Sequence, residues 1–329
     1  MALVLSHLRF LLSQSDIFPV AVDGGRVLCL GVQDVHASHQ ELAETIGAAG
    51  IRVSDVPSNE RRYTESQIVH RQQQHAHISD VFRMLGYSEV ATVDFSEAES
   101  PDIIHDLNEP VPRELHEQFD LVFDIGVVEH ICDIFQALSN CMAMVKPGGA
   151  VMHIVPLHGW HNMTFFNFQP MYLQEVYAAN GFEPTRTYIN FYPQFDEWTD
   201  QQMQYREYHY GDEMLFQLPR KLTNICFFAK KGKSIQELAK PIQGFYMRYH
   251  GEADLADAPA PELDGRLAAD VKRRIPSWLL EPLIALNRAR LRLEDLLLPR
   301  ALRERLWCWR RRRIIVALDR VRERKDFWI

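Results

Sequence analysis

Residues 119–130 read Phe119-Asp-Leu-Val-Phe-Asp-Ile-Gly-Val-Val-Glu-His130. The apolar-rich run Phe119 to Asp124 has the pattern of a central, buried strand, and Gly126 follows it. The segment Phe135 to Met144 then reads as a helix. Lys146-Pro-Gly-Gly149 is a turn signal, and Ala150-Val-Met-His-Ile-Val155 is a second buried strand, so this stretch forms a strand, helix and strand unit.

The same rhythm extends in both directions. Upstream, Arg26-Val-Leu-Cys-Leu-Gly31 is a strand ending in a turn. Ile78 to Leu85 is a helix closed by Gly86, Glu89-Val-Ala-Thr-Val-Asp94 is a strand ending on a carboxylate, and Asp102 to Asp106 is a short edge element. Downstream, Tyr172 to Ala179 is a helix ending at Asn180-Gly181. Thr187–Tyr192 and Leu222–Ala229 are β-rich and suit an antiparallel pair at one side of the sheet. Strands alternating with helices predict an α/β protein with a doubly wound, mostly parallel sheet, whose ligands sit beyond the carboxyl ends of the strands. Candidate site positions are therefore Gly31, Asp94, Asp106, Asp124 to His130, and Pro156 onward.

In this order the strand ends resemble the class I methyltransferases, in particular the branch with Glu-His after strand 4 (Glu129-His130) and Lys-Pro-Gly-Gly before strand 5. The resemblance covers about residues 20–230 and implies a Rossmann-like sheet of seven-stranded type with S-adenosyl-L-methionine as cofactor. It implies that Gly31 lets the backbone approach the cofactor's methionine portion, which a Cβ would prevent. Asp94 would accept hydrogen bonds from the ribose diol, Phe95 would cover the adenine, and Asp106 with Leu107 would meet the adenine amine; Asp124 and Gly126 complete the cofactor set. For Asp94 and Asp106 the alternative is helix N-capping. The family's first motif carries several glycines, whereas Leu30-Gly-Val-Gln-Asp34 has one, and Gln33 and Asp34 are expected to substitute by hydrogen bonding the amino acid end of the cofactor. The depleted motif also leaves open a catalytically inactive methyltransferase-like binding or scaffold protein, at a membrane surface in one version.

Phe165-Phe-Asn-Phe-Gln-Pro170 and Asn180-Gly-Phe182 are similar to bacterial methyltransferase-like proteins, some linked to surface sugars. The implied activity is methyl transfer to a hydroxyl, with an amine second, of a small molecule, sugar or glycan. Such a transfer needs alignment and a base for the departing proton. Candidate bases are His130, His158 and His161, with Glu129 behind them, although capping or packing of its helix is the favoured role for His130. Trp160, Phe165, Phe166 and Phe168 form either an apolar wall for a substrate ring or a loop packed on the core. Tyr205-Arg-Glu-Tyr-His-Tyr210 admits a similar reading with less weight.

The 329 residues are 47% hydrophobic and 24% charged, a globular composition. Five scattered cysteines lack metal-ligand spacing, and His70, His75 and His77 read as a solvated loop, so no metal site is expected. The opening stretch through Phe18 reads as a helix, since it lacks a basic region and a cleavage site, and a cytoplasmic location is expected. Net charge is −8, but residues 271–329 carry 17 Lys and Arg against 7 Asp and Glu, a net +10 that leaves −18 on the rest. Residues 1–234 form the expected methyltransferase-like domain with an insertion or lid at about 35–77. Residues 235–265 connect it to a basic helical C-terminal extension over 266–329. That extension suits an anionic membrane surface, which would place the protein at the inner face of the membrane, or self-association, or packing on the acidic body. Nucleic acid is disfavoured by the acidic charge elsewhere.

Overall fold

A computed structural model of the chain describes residues 2–20, 24–55, 76–192, 203–208, 222–235 and 237–243. Clustering of contacts separates one unit of residues 1–208, 218–258 and 327–329 from a second of residues 209–217 and 259–326, and only the first contains described residues. The basic extension, His70 and His75 lie outside the described residues.

The described part of the first unit is built on a sheet of eight strands: β1 (Arg26–Leu30), β2 (Glu89–Asp94), β3 (Ile103–Ile104), β4 (Phe119–Ile125), β5 (Val145–His158), β6 (Phe182–Phe191), β7 (Gln204–Glu207) and β8 (Thr223–Lys231). Their order is β3-β2-β1-β4-β5-β8-β6-β7. The first five run parallel, while β8 lies antiparallel between β5 and β6, and β7 is the antiparallel edge. The α/β, mostly parallel, doubly wound sheet expected from the pattern is the observed one. The expected antiparallel pair, β6 with β8, lies at one side of the sheet, and β7 adds a further strand outside it.

Helices α1 (Leu5–Ser13), α2 (His39–Ala48), α3 (Ile78–Met84), α4 (Ile134–Met144) and α5 (Pro170–Ala179) surround the sheet. Helix α1 packs on the antiparallel end. Phe10 stacks on Tyr205 with ring centroids 3.7 Å apart and meets Tyr188 and Phe228 edge-on or tilted. Burying several aromatic side chains together contributes the largest apolar areas available to a core. Tyr205 is thus the side chain by which the edge strand β7 packs into the core, and Tyr208 after it is buried as well.

Two local features differ from expectation. The region read as an insertion contains α2, which starts in a capping box: Glu41 N–H donates to Ser38 Oγ and Ser38 N–H to Glu41 Oε2 (2.8 Å). Only Leu42 and Ile46, one turn apart, are buried on it, too thin a stripe to dominate a polar segment. Residues 56–75 of that region lie outside the described residues. The Lys146–Gly149 turn, in turn, is an irregularity inside β5, because pairing with β4 jumps from Phe119↔Val145 to Leu121↔Ala150. Gly149 is required there, since a Cβ would stand 2.8 Å from the Asp120 carbonyl oxygen.

Candidate functional site

From β1 the chain moves outward to β2 and β3, then returns to the other side of β1 to lay down β4 and β5. The carboxyl ends of β1 and β4 therefore flank the switch point where open α/β sheets bind ligands. Gly31 lies there with φ +69°, its N–H donating to the Val93 carbonyl (2.8 Å). A Cβ on Gly31 would lie 3.1 Å from Gln33 Nε2, 3.1 Å from Val127 Cγ2 and 3.8 Å from Asp94 Oδ2. Side chains following β1, β2 and β4 thus converge on one point that only glycine leaves open.

Around it, Gln33 is buried and donates to the Leu30 carbonyl (2.7 Å), which stiffens the single-glycine turn. Asp34 is half-buried, and its carbonyl accepts from Leu3 N–H (2.8 Å) within a short bridge between Leu3 and Val35. Asp94 Oδ1 accepts from Ser96 N–H (3.1 Å), while Ser96 caps the short turn Glu97–Glu99. The capping alternative for Asp94 thus falls to Ser96. Phe95 is 77% exposed, and Ile104, register partner of Asp94, is 59% exposed, so an uncovered apolar surface adjoins the carboxylate.

Asp106 is exposed, and Asn108 donates to its Oδ1 through both backbone N–H (2.9 Å) and side-chain amide (2.8 Å), holding the carboxyl below its usual range. Leu107 is buried, and its carbonyl accepts from Asn140 Nδ2 (3.0 Å). Asn140 also takes Val111 N–H on Oδ1 (3.1 Å), so α4 clamps the whole turn.

After β4, Gly126 has φ +80° and donates to the Ile154 carbonyl (3.0 Å). Asp124 is fully buried: Oδ1 accepts from Val127 N–H (3.0 Å) and Oδ2 meets His153 Nδ1 (2.7 Å). Beyond it, His153 Nε2 lies 2.6 Å from the Tyr177 hydroxyl. With both carboxylate oxygens engaged inside the protein, Asp124 acts on the site through Val127. Glu129 is buried with Oε2 unpartnered, and burial followed by the Asp124 charge pushes its carboxyl up to about 8. His130, in the same short turn, is exposed.

His158 is half-buried and His161 exposed, their rings 5.9 Å apart and nearly perpendicular. Phe165 and Phe166 N–H donate to the Glu129 carbonyl (3.1 and 3.3 Å), and Phe168 N–H to that of Pro156 (2.7 Å), which fixes the β5–α5 loop beside the β4 end. The aromatic group divides: Trp160 and Phe168 are buried, whereas Phe165 is 73% exposed. His77 is the N-cap of α3, accepting from Ser79 N–H. Among the described residues no cluster of three or more His, Cys, Asp or Glu is placed to hold a metal.

Sequence reasoning passed over His153 and Tyr177. A polar residue in the apolar run Ala150–Val155 was the available signal, because a buried histidine demands partners.

The parallel strands, the switch point at Gly31 and the antiparallel end together decide the architecture. The chain has a Rossmann-like α/β fold with an antiparallel end, the architecture that the resemblance to class I methyltransferases implies. No protein-family model matches it, and no curated protein does. Among solved structures, it is similar to an S-adenosylmethionine-dependent methyltransferase from Archaeoglobus fulgidus at 15% identity, over 69% of this chain and 94% of that one, with a TM-score of 0.37. TehB from Haemophilus influenzae matches at 13% identity over 68% of this chain and 61% of its own (TM-score 0.34). The 1,6-didemethyltoxoflavin-N1-methyltransferase of Burkholderia thailandensis, solved with its substrate and S-adenosylhomocysteine, matches at 13% over 64% and 72% (TM-score 0.31). The Rossmann-like architecture of this chain rests on its own strand order and direction.

Proposed function

We propose that the chain is an S-adenosyl-L-methionine-dependent methyltransferase acting on a hydroxyl, or secondarily an amine, of a small molecule, sugar or glycan. The observation that carries this reading is the convergence of Gln33, Asp94 and Val127 on Gly31 at the switch point. The residues present suit the cofactor: a backbone left bare at Gly31, a strand-end carboxylate at Asp94 for a ribose diol, and exposed apolar surface at Phe95 for a purine. Asp106, Leu107 and Gly126 border the same edge, and Gln33 and Asp34 are assigned to the amino acid end. When bound, S-adenosyl-L-methionine supplies a methyl group on a sulfonium, which needs no further activation. The chain's part is to align an acceptor and accept its proton, for which His158 and His161 are the proposed groups, with exposed Phe165 in the same β5–α5 loop as an apolar surface. His130 is kept as a third candidate. Domain limits of 1–234, 235–265 and 266–329 belong to the same proposal, as does a role for the basic extension at an anionic membrane surface or in self-association.

Calorimetry with S-adenosylhomocysteine on the full chain tests the reading. Binding that is lost in Asp94→Ala is expected, followed by transfer of labelled methyl to a panel of hydroxyl and amine acceptors. No binding to the folded wild-type chain would sink it.

A further inference from the structure

A series of buried contacts runs from Tyr177 on α5 through His153 and Asp124 to Val127 at the switch point. His153 sits on β5, fully buried, between Asp124 Oδ2 (2.7 Å) and the Tyr177 hydroxyl (2.6 Å). Tyr177 is also fully buried, and burial holds its phenol well above its ordinary range, so the hydroxyl keeps its proton and hydrogen-bonds His153 Nε2 as a neutral partner. Nδ1, on the other side of the ring, faces the Asp124 carboxylate. A carboxylate removed from water is costly unless hydrogen-bonded, and Asp124 has two donors in view: the His153 ring and Val127 N–H.

We propose that His153, held by Tyr177, is a positioning residue: it orients the Asp124 carboxylate, which fixes the Gly126–Val127 turn against Gly31 and thereby sets the shape of the cofactor site. Three distances carry the inference. Tyr177 fixes the ring, the ring fixes Oδ2, and Oδ1 takes the amide of the residue whose Cγ2 bounds the space beside Gly31 at 3.1 Å from a built Cβ. Removing the ring leaves Oδ2 without its donor in a dry environment, where an unsatisfied carboxylate oxygen rotates toward another donor or takes a proton; either response weakens its grip on Val127 N–H. The effect extends one step further, because Glu129, two residues beyond Val127, anchors the amides of Phe165 and Phe166 on the acceptor side. The turn is held by these contacts whatever it binds; its consequence for binding rests on the cofactor reading above.

The test uses the full chain and two readouts, amide exchange at Val127 and the Kd for S-adenosylhomocysteine. In His153→Leu, Val127 exchange is expected to rise and affinity to fall, each by about tenfold, the scale of one buried hydrogen bond. In His153→Asn, whose amide presents an N–H near the position of Nδ1, both are expected to stay within about threefold of wild type, a rescue that mere core filling does not explain. Wild-type values of both in the Leu variant would overturn the proposal. Should that variant fail to melt cooperatively, Tyr177→Phe, which deletes one hydroxyl, is read instead, and unchanged values there overturn it equally. If the wild-type chain binds no S-adenosylhomocysteine, the cofactor reading falls, while Val127 exchange still decides whether His153 holds the turn.

Discussion

Gly31 and Val127 face each other across the β1 and β4 strand ends at close quarters: a Cβ on Gly31 would stand 3.1 Å from Val127 Cγ2, tighter than an ordinary contact. With φ at +69° the position is also strained for any L residue. Gly31→Ala is therefore expected to destabilise the chain by about 1–2 kcal/mol and to abolish S-adenosylhomocysteine binding, read by melting and calorimetry on the same sample. A variant that binds as wild type does would show that the ligand lies elsewhere.

Much of this arrangement was legible in the sequence where one physical rule acts alone. Glu89–Asp94 is a buried parallel strand with no competing period, and its limits agree with the structure. Phe119–Asp124 is another, which the structure carries one residue further, to Ile125. Legibility failed where the deciding contact is remote. His153 reads as one more strand residue because Asp124 and Tyr177, which give it meaning, lie 29 and 24 positions away. Strand β7 was missed because four residues, Gln204–Glu207, with a single well-buried Tyr205 carry no period; only pairing with β6 makes them a strand. In Glu129-His130 the histidine drew attention as the titratable group, yet the fold buries the glutamate and exposes the histidine, an inside-outside choice set by the turn after β4.

Glu129 gives the stability curve a defined slope. Burial and the neighbouring Asp124 raise its carboxyl from 4.5 to about 8. The folded state thus favours the protonated form, so this stabilisation is complete below about pH 4.5 and is lost as pH rises toward 8. Glu129→Gln, neutral throughout, is expected to remove that slope, which amounts to roughly 1.4 kcal/mol per pH unit at most. Denaturant unfolding of both proteins at pH 5 and pH 8 checks it: the variant should gain on wild type as pH rises, and parallel curves would contradict the assignment.

Lys231 separates stability from binding. Buried at the end of β8, its ammonium donates to the carbonyls of Met142 (2.9 Å) and Val145 (2.8 Å) at the C-terminus of α4 and pairs with Glu117 (3.1 Å). A cation there satisfies carbonyls that the helix leaves open. Lys231→Met keeps the stem but strands those acceptors, for an expected loss of about 2–3 kcal/mol. Because these contacts belong to the opposite, amino-terminal end of β5, affinity for S-adenosylhomocysteine in the folded fraction should not change. A loss of affinity without a loss of stability would contradict both parts.

The two histidines after β5 are expected to divide binding from turnover. His158 closes β5 and His161 lies three residues beyond it, their rings 5.9 Å apart, and the loop that follows is tied to the β4 turn through Glu129 rather than through either ring. Replacing them should therefore leave the loop in place. A general base for a hydroxyl acceptor contributes typically about 10²- to 10⁴-fold, so the double variant His158→Ala/His161→Ala is expected to lose kcat on that scale while keeping the wild-type Kd for S-adenosylhomocysteine. The loss should shrink as the assay pH rises, because hydroxide and a more ionised acceptor substitute for the missing base. An amine acceptor that is already neutral needs no such group before transfer, so a full-rate double variant would shift the acceptor from hydroxyl to amine.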